Sequence, residues 1–137
     1  MDTILDTLWT GLPVLVLQFA VALALLGLGI TGYMALTPFR EARLIRAGNL
    51  AAGIVLMGTI VALAIPLAAT LATSLVTLDI LLWGLVALVL QLLTFLVTAG
   101  LFRGLRGMIE EGNTAAACVL VGIQVAVALL NAGAMSG

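Results

Sequence analysis

The chain contains no histidine and no lysine, a single cysteine at Cys118, and charged residues at only 8% of its 137 positions. Each shortage closes a class of chemistry. Without histidine there is no Ser/His/Asp or Cys/His catalytic set. Without lysine there is no GxxxxGK[ST] phosphate loop and no retinal-type Schiff base. One cysteine cannot make an intrachain disulfide, and no metal ligands cluster along the sequence, so no metal or cofactor is expected. Glu110 and Glu111 are adjacent and point different ways on a helix, which does not suit a general acid/base pair. The reading is that the protein is not an enzyme. Net charge is −1, and the five arginines have a topological explanation given below, so no nucleic-acid partner is expected.

What is present is apolar. Hydrophobic residues make up 64% of the chain, and mean hydropathy is +1.37. A soluble domain carries about 25% charged residues. A chain of this length buries only part of its surface on folding, so water cannot be the solvent for this much apolar area. The solvent must be lipid. No charged residue lies between Asp6 and Arg40, between Arg46 and Asp79, between Asp79 and Arg103, or after Glu111. A spanning helix needs roughly 20 apolar residues. Four follow: about Leu8–Leu36, Asn49–Leu75, Ile80–Phe102 and Asn113–Ala134. The alternating pattern of barrel strands is missing. The fold class is therefore all-α, a polytopic membrane protein forming one domain.

The strongest internal signal is a repeat. Gly48-Asn49-Leu50-Ala51-Ala52 returns as Gly112-Asn113-Thr114-Ala115-Ala116, and in-register matches continue through Gly58 with Gly122 and Val61 with Val125. Two tandem helix hairpins result, residues 1–76 and 77–137, in the same orientation. Such a parallel repeat has a pseudo-two-fold axis along the membrane normal, unlike the inverted repeats of many transporters. All five basic residues fall in two turns, Arg40, Arg43 and Arg46 in one and Arg103 and Arg106 in the other. The positive-inside bias makes those turns cytoplasmic and puts both termini outside. Asp2 and Asp6 precede the first apolar run with no basic residue, which argues against a cleaved signal peptide.

Polar residues inside the spans are amides and hydroxyls: Gln18, Gln91, Gln124, Thr31, Thr59, Thr70, Thr94 and Thr98, with Asn131 near the end. No ionisable residue lies deep, which disfavours a proton relay but not a passive path. Burying an amide in hydrocarbon is costly without a partner, so these groups should face the bundle or a neighbouring copy. They read either as interhelical glue or as the lining of a solute path. Asn49 and Asn113 fit helix N-caps, with Gly48 and Gly112 where turn meets helix. The alternative use of that geometry is a cytoplasmic site for an anion, lipid or partner, formed by two helix N-termini ringed by Arg40, Arg43, Arg46, Arg103 and Arg106. Close helix approach is expected at small residues such as Gly27, Gly29, Gly32, at Gly100 with Gly104, and at Gly122 with Ala126. Trp9, Tyr33 and Trp83 are expected as interface anchors. Pro66 should free carbonyls near Ala62 for Thr70 or a facing glutamine.

Thr37-Pro38-x-x-Glu41-x-x-Leu44-Ile45, followed by Gly48-Asn49-x-Ala51-Ala52, resembles the signature of the YjfL-like proteins. Further matches are Ile65-Pro66-Leu67, Trp83-Gly84-x-x-Ala87-Leu88-Val89-x-Gln91-Leu92-Leu93, Asn113-Thr114-Ala115-Ala116 and Asn131-Ala132. The second box departs modestly, with Glu110-Glu111 before Gly112 where the first has Arg46-Ala47 before Gly48. The resemblance spans nearly the whole chain. It implies a small four-helix protein of the bacterial plasma (inner) membrane with no established activity, and an envelope-stress protein of the phage-shock type as a partner. Two function classes stay open. The first reading is an oligomeric passive conduit for ions or small solutes, and the alternative is a membrane scaffold or envelope-stress interaction protein docking a partner through its arginine turns. Fourteen kilodaltons is too small to enclose a wide pore alone, so a homo-oligomer is expected in either case.

Overall fold

A computed structural model describes residues 2–36, 41–74, 76–101 and 104–136. Every element is a helix: α1 Asp2–Leu36, α2 Glu41–Arg46, α3 Leu50–Thr73, α4 Thr77–Leu101, α5 Leu105–Glu110 and α6 Thr114–Ser136. Among the described residues α1, α3, α4 and α6 are long and apolar enough to cross a membrane. Helix is the form that satisfies each backbone group within its own segment, which lipid demands.

α1 starts at Asp2, earlier than the absence of charge suggested. Charge locates where lipid burial begins, not where helix begins, and an acidic residue in the first turn favours helix there. At 35 residues α1 is about 52 Å long, well beyond the roughly 30 Å hydrocarbon core. It therefore tilts or emerges. The charged turns are not plain turns either. Each contains a six-residue helix, α2 and α5.

α3 and α6 form the central pair. They run side by side in the same direction: the Gly58 backbone lies against Val121, and Thr59 bonds Gln124. A Cβ at Gly58 would lie 2.9 Å from Cβ of Val121, so only glycine permits this approach. α4 packs against α1, α3 and α6, whereas α1 packs against α3 and α4. Under a strict two-fold, α1 would meet α6 as α4 meets α3. Among the described residues that contact is slight, so the first helices of the two halves do not occupy equivalent places.

The core has two parts. One joins Tyr33, Ala51, Ala52, Val55, Phe95, Ile109, Ala117 and Leu120. The other joins Leu25, Leu63, Leu67, Ile80 and Leu88. Here Gly29 faces Leu88 and Leu63, and Gly84 faces Leu25 and Leu67. Several expected packing glycines are not at contacts: space is open at Gly27, Gly100, Gly104 and Gly122, whereas Gly32 lies against Leu92. Spacing alone cannot say which face of a helix meets a neighbour. Tyr33 is likewise not an interface anchor. It is fully buried and meets Phe95 edge to face, with ring centroids 4.7 Å apart. Trp9 and Trp83 are exposed. Thr70 donates to the Pro66 carbonyl, not to one near Ala62.

Candidate functional site

The repeated Gly-Asn pair is a helix-to-helix junction. At the end of α2 the N–H of Gly48 donates to Ile45 and that of Asn49 to Leu44. At the end of α5 the N–H of Gly112 donates to Ile109 and that of Asn113 to Met108. Both are Schellman closures, which need a left-handed residue. Gly48 and Gly112 supply it, with φ of 85° and 87°. The next residue then caps the long helix: Asn49 Oδ1 accepts from Ala52 N at 3.0 Å, and Asn113 Oδ1 from Ala116 N at 3.1 Å. So glycine ends the short helix and asparagine starts the long one, with no residue between. This explains why the pair recurs together.

The two junctions differ in one respect. Asn49 Nδ2 also donates to the carbonyls of Ile109 (3.0 Å) and Glu110 (3.1 Å), at the end of α5. One side chain therefore caps α3 and holds the other junction. Among the described residues Asn113 makes only its cap. Ala51, Ala52 and Ala117, all fully buried, let the two N-termini sit close enough for this tie. Arg43, Arg46, Arg106, Glu110 and Glu111 are exposed around it. The tie thus fixes the basic residues of α2 and α5 relative to each other. Arg40 and Arg103 lie outside the described residues.

A second polar group lies midway along the bundle. Gln91 and Gln124 are buried, at 4% and 2% exposure, in three different helices' shared interior with Thr59. Gln91 Nε2 donates to the backbone carbonyl of Gln124 at 2.9 Å, and the single Thr59 hydroxyl proton is shared between Gln124 Oε1 at 3.0 Å and the Val55 carbonyl at 2.8 Å. These bonds link α4, α6 and α3. Gln91 Oε1 has no partner among the described residues. Gln18 is half-buried on α1 and does not join this group. Thr94 is half-buried and bonds the Leu90 carbonyl of its own helix.

A third feature was not foreseen as a unit. At the end of the bundle away from the arginines, a cleft of about 490 Å³ lies between α4 and α6 over the last turn of α3. Its walls are Asp79, Trp83, Val86 and Leu90 on α4, and Asn131, Ala134 and Met135 on α6. Its base is Thr70, Thr73 and Ser74. Asn131, expected as glue or lining, lies here, two helical turns beyond Gln124 on α6. In the sequence Asp79 stands out only as the charge that separates two apolar runs. The spacing of Asp79, Trp83, Val86 and Leu90 along one face of α4 is the signal that was available.

Residues 7–135 match the family described as Domain of Unknown Function (DUF350), and the chain belongs to that family. It is 33% identical over 104 residues to the UPF0719 inner membrane protein YjfL of Escherichia coli strain K12, covering 76% of this chain and 79% of that protein. The protein of the same description from Escherichia coli O157:H7 matches equally. No solved structure matches the chain.

Proposed function

We propose that this DUF350 membrane protein is a scaffold of the bacterial inner membrane that docks an acidic protein surface on its arginine-bearing end. In this reading the chain is two tandem helix hairpins with both termini outside the cytoplasm. The arginine positions support that orientation, and the inner-membrane placement follows the description of the Escherichia coli relative. The observation that carries the reading is the Asn49 tie. It holds two short helices, each too small to be rigid alone, as one surface on which Arg43 and Arg46 of α2 and Arg106 of α5 stand together, beside Glu110 and Glu111. Each turn offers a small footprint, so several copies side by side would bind a partner more firmly. Homo-oligomerisation, and an envelope-stress protein as the partner, belong to the same proposal.

The test is photo-crosslinking in cells from Ala42 and Ala47, which are exposed beside the arginines. The expected result is one discrete protein adduct that disappears with Arg43→Glu/Arg46→Glu while the protein stays in the membrane. The same adduct in the charge-reversed variant would overturn the docking surface.

A second reading is a passive conduit between copies of the chain. What favours it is the unpartnered Gln91 Oε1 at mid-depth. The chain's own interior supports it less, because Gln91, Gln124 and Thr59 are bonded to one another and Gly58 closes on Val121.

A further inference from the structure

We infer that the cleft between α4 and α6 binds one amine-headed zwitterionic phospholipid, with the ammonium at Asp79 and the acyl chain along Val86 and Leu90. α4 and α6 are bonded at mid-depth, where Gln91 donates to Gln124, and the cleft lies between that point and the bundle end. Its volume of about 490 Å³ falls within the roughly 300–1,000 Å³ range of small-molecule sites.

The lining is graded along the membrane normal. Asp79, Ser74 and Thr73 stand at the end of the bundle, Trp83 comes next, and Val86, then Leu90, lie deeper. Polar end, aromatic belt and apolar depth match the profile of an amphiphile standing in a leaflet. Val86 and Leu90 are exposed on a membrane-spanning helix, so the cleft is open sideways along α4.

Two groups then specify the head. Asp79 is the only ionisable residue in the lining, and among the described residues its carboxylate has no ion pair. It asks for a cation. Asn131 Nδ2 is buried and has no hydrogen-bond partner among the described residues. An unmet buried donor is costly, so it asks for an acceptor. A head group carrying an ammonium and, a few ångströms away, phosphate or ester oxygens answers both at once. A primary ammonium also has N–H donors for the carboxylate and for Ser74, which a quaternary choline head lacks. An anionic glycerol head would meet Asp79 with the wrong sign.

The experiment is native mass spectrometry of the full chain released from detergent with phosphatidylethanolamine, phosphatidylcholine or phosphatidylglycerol of matched chains. One phosphatidylethanolamine per chain is expected to bind about five- to tenfold more tightly than phosphatidylglycerol. Asp79→Asn should erase that preference, and Asn131→Leu should weaken phosphatidylethanolamine binding. Asp6→Asn, on α1 and outside the cleft, should change nothing. Helicity and melting temperature of each variant are measured in parallel; Asp79→Glu, which keeps the charge, should retain the preference. Equal binding of all three lipids to the wild type, or an unchanged preference in Asp79→Asn, would overturn the site. So would full displacement by an equal concentration of soluble phosphoethanolamine, since the chain would then contribute nothing.

Discussion

Removing Asn49 should destabilise the bundle about twice as much as removing Asn113, although the two stand in matching boxes. Each asparagine caps its helix through Oδ1, and losing such a cap costs about 1 kcal/mol. Asn49 adds two donors to the end of α5. A single such bond contributes about 0.5–1.5 kcal/mol net. The lower end applies to both. The Ile109 carbonyl keeps its bond from Gly112 N–H, and Glu110 is exposed enough for water to replace the amide. Asn49→Ala should therefore cost about 2 kcal/mol, against about 1 kcal/mol for Asn113→Ala. Aspartate separates the contributions. It keeps the capping oxygen but offers no donor and puts a carboxylate against two carbonyl oxygens. Asn49→Asp should still cost about 1 kcal/mol or more, whereas Asn113→Asp should be near neutral. Reversible unfolding in mixed micelles, titrated with dodecyl sulfate and followed by far-ultraviolet circular dichroism, gives all four values. Equal losses at the two positions, or a neutral Asn49→Asp, would refute the tie between the junctions.

Gly58→Ala should cost about 1–3 kcal/mol, because its Cβ would collide with the stiff Val121 side chain, while Gly122→Ala, with open space, should be neutral or slightly stabilising in the same titration. Gln91→Leu should change stability by no more than about 1 kcal/mol: it loses the bond to Gln124 but also removes a carbonyl oxygen that has no partner among the described residues. In a Cys118→Ser background, Ser136→Cys should react with an impermeant maleimide in intact cells and Ala47→Cys only after lysis. The reverse pattern would invert the orientation.

Composition and charge made the spans legible, since lipid requires long uncharged helices whatever their neighbours. The Asn49 and Asn113 caps were legible because capping is local. The tie from Asn49 to Ile109 and Glu110 was not, since it depends on how closely α3 and α6 approach. Tyr33 shows the same limit. Its residue type suits a membrane interface, and it is buried only through the packing of α1 against α3 and α4, where Val55 and Phe95 join its cluster. Gly58 and Gly122 match in sequence yet only the former meets a neighbouring side chain, so α3 and α6 do not present matching faces to each other. Asp79 and Asn131 lie more than fifty positions apart and come together in one cleft only through the packing of α4 on α6.

The central claim is that the chain works as a scaffold and that its mutually bonded buried amides do not line a solute path. Flux of ions and small anions from proteoliposomes holding the purified protein tests it most directly, with Gln91→Leu/Gln124→Leu beside it and assembly of both verified. The account predicts flux no greater than from empty liposomes for either protein. Flux through the wild type that disappears in a normally assembled double variant would contradict it and establish a conduit lined by α4 and α6.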